Sequence, residues 1–473
     1  MSDYNTVVVA NYQTAEYGKF VELKNHTTYP AVSVTRYNSP NAVGVAPVSS
    51  VEVYPKYAVL VKSVDDTTSN YTGNLNMGSD AFGRTRTSSP LTLFDSSHRY
   101  ADNNLWATLT GGSTSTSASA EFIQTQGLIE LKVDALSGSK VYRETTKVFA
   151  YQPGKSLQLL NTFTFNQAKT NLRQRVGYFG VDNGIYLELD DNTLYMVERS
   201  ITSGSLSETR IPQSQWNVDR LDGSGPSGLV LDITKAQILW ADIEWLGLGT
   251  VRTGFVINGQ FVPCHYFHHA NLIDSTYITT GSLPLRYEIE NKAATSGPSK
   301  LKQVCSTVIS EGGYELRGLQ QAAGTEITAP KALAVAGTYY PVVSIRLKST
   351  RLDGIVILTA LSVMGIDTGI YNWKVFASGT TSGGTWTDAG VNSSVEYKLD
   401  GTGLSGGRVL ASGYLTSNTQ GNTSIDILKE ALFKFQLERN SFTNTPYELT
   451  LAVTASTATE LVHGSIDWEE ISR

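Results

Sequence analysis

Charged residues are scarce in this chain of 473 residues, and long basic or apolar runs are missing from it. Asp, Glu, Lys and Arg together make up 17% of the residues, against about 25% in typical soluble domains. The net charge is −6 and no basic block occurs, so we expect no nucleic-acid partner. No apolar run approaches the roughly 18 residues that cross a bilayer, so we expect no membrane insertion.

Cysteine is also rare. Cys264 and Cys305 are the only two, which is too few for a disulfide framework or a four-cysteine zinc site. One bridge between them is an open alternative, but buried reduced thiols are favoured. The first residues lack a basic start followed by an apolar run, so we expect no signal peptide and a soluble protein made in a cytoplasm. No motif for a phosphate loop, a dinucleotide or a catalytic serine elbow occurs, so no cofactor is predicted.

Glycine and tyrosine are abundant, with 42 and 24 residues, and this composition favours β-strands joined by turns. The clearest example is the stretch 173–199. Turn signals at 182–184 and 190–192 divide it into three parts, because Asn and Gly tolerate the positive φ of a tight hairpin. Ile185 and Leu187 begin an alternation of apolar and polar residues between these turns. The stretch is therefore predicted to be a three-stranded meander.

Strand patterns of this kind follow one another through most of the chain, with very little sign of helix. Two-sheet sandwiches and jelly rolls are the usual solution for such sequences. We predict an N-terminal attachment region (1–75), a central jelly-roll domain (76–325) and a C-terminal β-sandwich domain (326–473). The predicted fold class is all-β, with a central lectin-like jelly roll, a C-terminal β-sandwich and a small N-terminal β attachment region.

Three local features refine this prediction. Asn258-Gly259 predicts a second sharp hairpin. Residues 318–335 are interpreted as an interdomain linker. Residues 424–434 carry apolar side chains at helical spacing, which predicts a short amphipathic helix.

Histidine is concentrated in one place, with His265, His268 and His269 close together beside Cys264. In an extended strand, His265 and His269 point to one side and His268 to the other. A zinc site needs three or four converging ligands, and the other histidines stand alone in the sequence. A structural or interface role is favoured, and the three histidines stay weak candidates for metal binding.

Two pairs of acidic residues suggest a different chemistry. Asp242 and Glu244 share one face of a predicted strand with Trp240, and Glu288 and Glu290 form a similar pair. Two carboxylates in an open groove near aromatic rings are the requirement for glycoside hydrolysis. Solvent-facing acids at this spacing are also routine in strands.

Several further residues are candidate contacts. Possible glycan-stacking residues are Trp240, Trp245 and Tyr287, although a tryptophan at such a position is commonly part of a core. A partner's carboxylate could bind Arg84 and Arg86, for which a solvated edge is the favoured alternative. Oxygen ligands for calcium could come from Asp219, Asp222 and Asp232, whose spacing does not match an EF-hand loop.

Parts of the chain resemble a family of virion structural proteins of tailed bacteriophages. The likeness is carried by residues 80–100 (with DAFGRTRTSSPLTLFD), 149–156 (FAYQPGKS), 171–180 (NLRQRVGYFG), 240–247, 254–259 (GFVING), 268–271 (HHAN), 309–314 (ISEGGY), 426–433 (DILKEALF) and 467–471 (DWEEI). The hairpins of the central region also resemble the concanavalin and laminin-G type of jelly roll.

This resemblance implies a structural component of a virion, such as a tail fibre, a baseplate part or a head fibre, acting in assembly and host contact. It supplies no catalytic residues, so we expect a protein that is not an enzyme. We expect copies of the chain to assemble with one another, by analogy as a trimer, and with other virion proteins. Two alternatives stay open, namely a carbohydrate-binding module for host recognition and a decoration protein that stabilises the capsid.

Overall fold

The computed structural model describes the backbone of four N-terminal strands and then residues 89–111, 118–312, 318–416 and 436–472. Two compact units are present, residues 1–88 and residues 89–473. Within the described residues, no helix is long and apolar enough to span a membrane. The only helix among them is the short 3-10 turn Gln213–Gln215, so the described chain is almost entirely β-structure.

The N-terminal unit contains one antiparallel sheet of four strands. Its order along the sheet follows the order of the sequence, so each strand pairs with the next one in the chain. The strands are β1 (Tyr4–Val8), β2 (Lys19–Lys24), β3 (Ala31–Arg36) and β4 (Pro47–Val48). The candidate contacts Arg84 and Arg86 lie outside the described residues.

The central part of the second unit contains two antiparallel sheets of eight and seven strands. Its strands are β5 (Leu91–Ser97), β6 (Trp106–Gly111), β7 (Ser119–Ile123), β8 (Leu128–Val133), β9 (Lys140–Thr145), β10 (Ser156–Thr164), β11 (Leu172–Phe179), β12 (Gly184–Asp190), β13 (Thr193–Ser200), β14 (Ser207–Pro212), β15 (Gln237–Ile243), β16 (Val251–Ile257), β17 (Gln260–Phe267), β18 (Leu285–Asn291) and β19 (Ser299–Glu311).

The eight-stranded sheet has the order β17-β16-β15-β10-β19-β8-β7, and β5 also pairs with β19. The seven-stranded sheet has the order β14-β13-β12-β11-β18-β9-β6. Alternate residues of both sheets meet in one hydrophobic core between them. This arrangement confirms the predicted lectin-like jelly roll.

The meander predicted at 173–199 is confirmed as β11, β12 and β13, which are neighbours in the seven-stranded sheet. The predicted hairpin at Asn258 and Gly259 joins β16 to β17, and both residues have positive φ, 52° and 76°. Such a pair of φ values is the requirement of a tight two-residue hairpin and suits Asn-Gly. The two cysteines are free thiols, as favoured.

A second, smaller sandwich follows in the same unit. Its strands are β20 (Leu319–Gly324), β21 (Lys331–Leu333), β22 (Tyr340–Leu347), β23 (Ile355–Gly365), β24 (Ile370–Ser382), β25 (Thr387–Asp388), β26 (Val395–Lys398), β27 (Gly403–Thr416), β28 (Glu448–Ala455) and β29 (Glu460–Ser472). One sheet pairs β29 with β20, β21 and β23, and the other has the order β25-β26-β22-β28-β24-β27. A separate core lies between them, which confirms the C-terminal β-sandwich.

The interpretation of residues 318–335 as a linker is wrong. Two short strands, β20 and β21, occupy this stretch and both pair with β29. Edge strands this short carry too few residues for an alternating pattern to stand out in the sequence. The bounds of the three domains stay predictions, and the helix predicted at 424–434 lies outside the described residues.

The two sandwiches of the second unit touch through the segment 436–447. Ser441 Oγ donates to the carbonyl of Thr145 at 2.6 Å, and Lys147 forms an ion pair with Glu438 at 3.1 Å. Arg439 donates to the carbonyl of Ser282 at 3.3 Å. This segment therefore fastens the C-terminal sandwich to the end of β9 in the jelly roll.

Tyr287 on β18 brings a polar hydroxyl group into the core of the jelly roll, with 0% of its surface exposed. Its hydroxyl lies 2.8 Å from Ser306 Oγ and 3.2 Å from the carbonyl of Cys305, on the facing sheet. We predict that Tyr287→Phe lowers the free energy of unfolding by about 1–3 kcal/mol, because it leaves buried polar partners unsatisfied. Denaturant unfolding measures this. The control Tyr100→Phe changes a residue that is 89% exposed, and an equal effect of both substitutions would contradict the prediction.

Candidate functional site

The outer face of the eight-stranded sheet carries a strip of aromatic and charged side chains. On β15, Leu239, Ala241 and Ile243 belong to the core. Trp240 and Asp242 alternate with them and therefore lie on the outer face. The sequence predicted this shared face, which continues past the end of the strand to Glu244.

Trp240 is packed rather than open, with 6% of its surface exposed. Its ring meets that of Phe261 edge to face, with the ring centroids 5.6 Å apart. Gly254 lies opposite Trp240 on β16, and a Cβ there would approach the indole nitrogen to 2.9 Å. Phe261 is 52% exposed, so it and not Trp240 offers the accessible ring of this pair.

A cavity of about 420 Å³ opens further along the same face, where it is lined by the residues that follow Trp240 on this face and by neither ring of the aromatic pair. Its lining includes Asp242, Glu244, Arg252 and Thr250, and we call it the carboxylate cavity. Arg252 forms an ion pair with Asp242 from the neighbouring strand. Among the described residues, Asp242 Oδ1 and Trp240 Nε1 are buried without a hydrogen-bond partner. The unsatisfied acceptor of Asp242 thus belongs to a residue that lines the cavity, whereas the unsatisfied donor of Trp240 lies one step back along the same face.

The connection between β15 and β16, which we call the 244–250 loop, forms one wall of the carboxylate cavity. Trp245 fixes it, since its backbone N–H donates to Tyr151 Oη and its indole N–H donates to the carbonyl of Ile278, both at 3.1 Å. Gly247 has a φ of +79° and accepts a hydrogen bond from the N–H of Tyr277 at 3.0 Å. Trp245 was predicted as a possible glycan contact. In the structure its two hydrogen bonds hold the 244–250 loop in place.

A second and larger cavity, of about 780 Å³, has two lining residues, His269 and Tyr277, that are hydrogen-bonded to the 244–250 loop. We call it the His269 pocket. Most of its lining side chains carry hydroxyl, amide or carboxylate groups: Glu198, Ser200, Thr202, Ser207, Thr209, Asn271, Asp274, Ser275 and Thr276. Leu272 and Ile273 add exposed apolar surface at its edge.

His269 is held from three sides. Its Nε2 lies 2.7 Å from Glu198 Oε2 and its Nδ1 lies 2.6 Å from the carbonyl oxygen of Gly249. Its ring stacks parallel on that of Tyr277, with the centroids 4.0 Å apart. Both partners of the ring nitrogens are acceptors, so the ring satisfies both bonds only when both nitrogens carry protons. Burial alone would lower the pKa of His269, but the hydrogen bond and charge of Glu198 outweigh it and raise the pKa.

The other histidines of the cluster point elsewhere. His265 Nδ1 accepts from the N–H of Asn217 at 3.3 Å, and burial lowers the pKa of His265 to about 4, so its ring is neutral. His268 is exposed and lies 3.3 Å from Thr250 Oγ1. In the part of the chain that the structure describes, no three His, Cys, Asp or Glu residues converge on a common metal position. His265, His268 and His269 therefore each contact different neighbours.

The other sequence-predicted candidates have structural partners. Tyr287 lies in the core, where a glycan cannot reach it. Asp219 accepts from the N–H groups of Leu221 and Ser227. Asp222 and Asp232 accept in the same way from the residues two positions after them, so the three aspartates each form a separate turn instead of a calcium site.

The outer face of the seven-stranded sheet carries alternating charges, which we call the ion-pair ladder. Arg175 on β11 lies between Glu188 on β12 and Glu288 on β18, and Arg173 lies between Asp190 and Glu290 one step along the same strands. Opposite charges directly across antiparallel strands stabilise the pairing. The ladder thus gives Arg173, Arg175 and Glu188 of the meander a structural role.

Glu288 is a buried member of the ladder and is 1% exposed. Arg175 and Arg286 donate to it, and Lys140 lies 3.1 Å away. Burial alone would raise the pKa of Glu288, but these cations hold it well below its ordinary value. Because these cations enclose the buried carboxylate of Glu288, it does not face the open groove that the catalytic pair considered from the sequence requires.

Sequence reasoning missed the pairing of His269 with Glu198 and the exposed ring of Phe261. The histidine cluster drew attention to His269, but its partner is far away in the sequence and on the other sheet. Phe261 follows the Asn-Gly turn directly, where a side chain at the sheet edge is readily exposed.

A scan against protein-family models finds no match, and a search of the curated proteins also finds none. Several solved structures are similar in fold. The carbohydrate recognition domain of Emp47p is 12% identical and covers 50% of this chain and 100% of its own, with a TM-score of 0.29. A beta-1,3-glucanase from Mycobacterium marinum is 10% identical over 46% of this chain and 98% of its own, with a TM-score of 0.33.

A glycosyl hydrolase family 16 protein from Mycobacterium smegmatis is 11% identical and covers 46% of this chain and 100% of its own, with a TM-score of 0.30. At such identities the likeness concerns the fold alone. The expectation that the chain is not an enzyme is nevertheless wrong as it was argued, since the similar structures include a glucanase and a glycosyl hydrolase. A fold shared by enzymes and binding domains gives no ground for excluding catalysis.

The ion pair of His269 and Glu198 predicts a pH dependence. Because the folded-state pKa of His269 is raised above 6.5, its stabilising contribution is complete below about pH 6.5 and is lost as the pH rises through the raised pKa. We expect His269→Gln to lower the free energy of unfolding by about 1.5–3 kcal/mol at pH 6 and by less at pH 9. Urea unfolding across this pH range tests it, with the exposed His268→Gln as control. A pH-independent loss would contradict the ion pair.

The ion-pair ladder predicts a loss of stability whose pH dependence is opposite to that of the His269 variant. Glu288→Gln removes a charge that is buried among cations, so we expect a loss of about 3–5 kcal/mol at pH 7. A carboxylate with a depressed pKa stabilises above its ordinary value of 4.5, and its contribution falls as the pH falls through the lower folded pKa. The control Glu290→Gln, at 20% side-chain exposure, should cost at most about 1 kcal/mol. Denaturant unfolding measures the loss of stability in each variant. Equal losses in the Glu288 and Glu290 variants would contradict the predicted difference between them.

Proposed function

We propose that the central domain binds carbohydrate on the outer face of the eight-stranded sheet, from Phe261 to Glu244. The observation that carries this proposal is one outward-facing row of side chains, in which the half-exposed Phe261 ring packed on Trp240 is followed by Asp242 and Glu244 at the carboxylate cavity. A sugar presents apolar C–H faces and a rim of hydroxyl groups. An aromatic ring contacts the first, and charged side chains bind the second.

The unsatisfied groups at the cavity favour hydroxyl ligands. A hydroxyl group both donates and accepts, so neighbouring sugar hydroxyls would suit the acceptor Asp242 Oδ1 and the donor Trp240 Nε1. Modest side-chain movement would be needed, because both atoms are buried. Arg252 and Glu244 bring charges of both signs to the cavity. This balance favours a neutral polyhydroxylated ligand over a strongly acidic or basic one.

The virion role implied by the sequence resemblance stays a prediction. A surface that binds glycan would suit host contact by a tail fibre, baseplate or head fibre. Four further expectations also stay predictions: assembly of copies into a trimer, contacts with other virion proteins, a place on the capsid and a virion location. Particles labelled with an antibody to this chain would test the location.

We expect Phe261→Ala to weaken glycan binding by about tenfold, which corresponds to about 1.4 kcal/mol of lost aromatic contact. Asp242→Asn should weaken it similarly by removing a charged acceptor. A printed glycan array selects the glycan, and titration calorimetry measures its affinity. The control Val230→Ala changes an apolar side chain that is 73% exposed and lies away from the cavity.

Unfolding curves check that the variants stay folded, which is expected for Phe261→Ala because half of the ring is already in water. Unchanged affinity in both site variants, or an array on which no glycan is retained, would overturn the proposal. Incubating the selected glycan with the protein and measuring new reducing ends shows in the same experiment whether it is cleaved.

A further inference from the structure

The 244–250 loop lines the carboxylate cavity and is hydrogen-bonded to two residues that line the His269 pocket. Leu246 and Thr250 line the carboxylate cavity. The carbonyl groups of Gly247 and Gly249 accept hydrogen bonds from Tyr277 and His269, which line the His269 pocket. One fixed loop therefore connects the linings of the two cavities.

We infer that the His269 pocket is a second subsite for the same carbohydrate, so that the ligand is an oligosaccharide which crosses the 244–250 loop. This inference rests on the proposed function. Leu246 and Leu248 are exposed at the loop by 57% and 39%. These side chains give the passage between the cavities an apolar surface, which suits the C–H faces of a sugar.

The lining of the His269 pocket matches a sugar by its chemistry. Thr209, Ser275 and Thr276 supply hydroxyl groups, Asn271 an amide and Asp274 a carboxylate. Such groups exchange hydrogen bonds with sugar hydroxyls in both directions. The volume of about 780 Å³ lies in the common range of ligand cavities, about 300–1,000 Å³. Since the carboxylate cavity has room of its own, a ligand that fills both must contain several sugar units.

The base of the pocket is fixed before any ligand arrives. Glu198, Gly249 and Tyr277 hold His269 by two hydrogen bonds and a parallel ring contact. The amide nitrogen of Tyr277 is bonded to the 244–250 loop in turn. A rigid base of this kind lowers the entropy that binding must overcome. It also keeps the pocket at a constant distance from the carboxylate cavity, as a two-subsite ligand requires.

The test uses the full chain and one glycan series, namely the mono-, di-, tetra- and hexasaccharide of the sugar selected on the array. We expect affinity to rise with length. The double variant Thr209→Val with Asp274→Asn should bind the two short members like the unsubstituted chain and the hexasaccharide about five- to tenfold more weakly, since two hydrogen bonds are lost. The matched control is Thr110→Val with Asp182→Asn, at exposed positions away from both cavities.

The outcomes separate this inference from the proposed function. Binding of short glycans that depends on Phe261, with no gain for the hexasaccharide, would overturn the second subsite and leave the first. The second subsite would also be overturned if the double variant of Thr209 and Asp274 bound the hexasaccharide as tightly as the control variant does. Absence of binding to every member of the series would overturn both proposals. A length-dependent gain that only the pocket variant loses would support the second subsite.

Discussion

The packing of the eight-stranded sheet against the seven-stranded sheet is the interaction on which the rest of the jelly roll depends. Each strand turns its alternate side chains inward, and these form one core in which buried hydroxyl groups such as those of Tyr178 and Tyr287 are hydrogen-bonded. Because this packing fills most of the inner faces, room for a ligand remains on the outer faces and at the margins of the sheets. The carboxylate cavity lies on the outer face of the eight-stranded sheet, and the His269 pocket lies at the β13–β14 margin of the seven-stranded sheet.

The outer faces of the two sheets have different uses. The ion-pair ladder pairs its charges with one another, and Glu288 in particular is enclosed by cations. The strip on the other sheet contains the exposed ring of Phe261 and an open cavity lined by Asp242 and Glu244. Charges enclosed by their partners stabilise a sheet, whereas a ring and carboxylates beside open space are accessible to a ligand. This difference in accessibility is the reason that the glycan site is proposed on the eight-stranded sheet.

Much of the architecture could be predicted from the residues, but the site could be predicted only in part. The alternation through Ile185 and Leu187 and the Asn258-Gly259 turn are local signals, and they gave correct strands and hairpins. The same alternation placed Asp242 with Trp240. The bond between His269 and Glu198 joins residues that are distant in the sequence, so no spacing rule could reveal it. The stretch 318–335 was wrongly interpreted because its two short strands pair with β29, which lies at the other end of the chain.

The contacts of the segment 436–447 have a mechanical consequence. Ser441, Glu438 and Arg439 attach the C-terminal sandwich to the jelly roll at points on both β9 and the neighbourhood of Ser282. Two attachments at separate points resist twisting as well as bending, whereas a single strand of connecting chain resists neither. A load applied to one sandwich is therefore transmitted to the end of β9, the strand next to the edge of the seven-stranded sheet in the other.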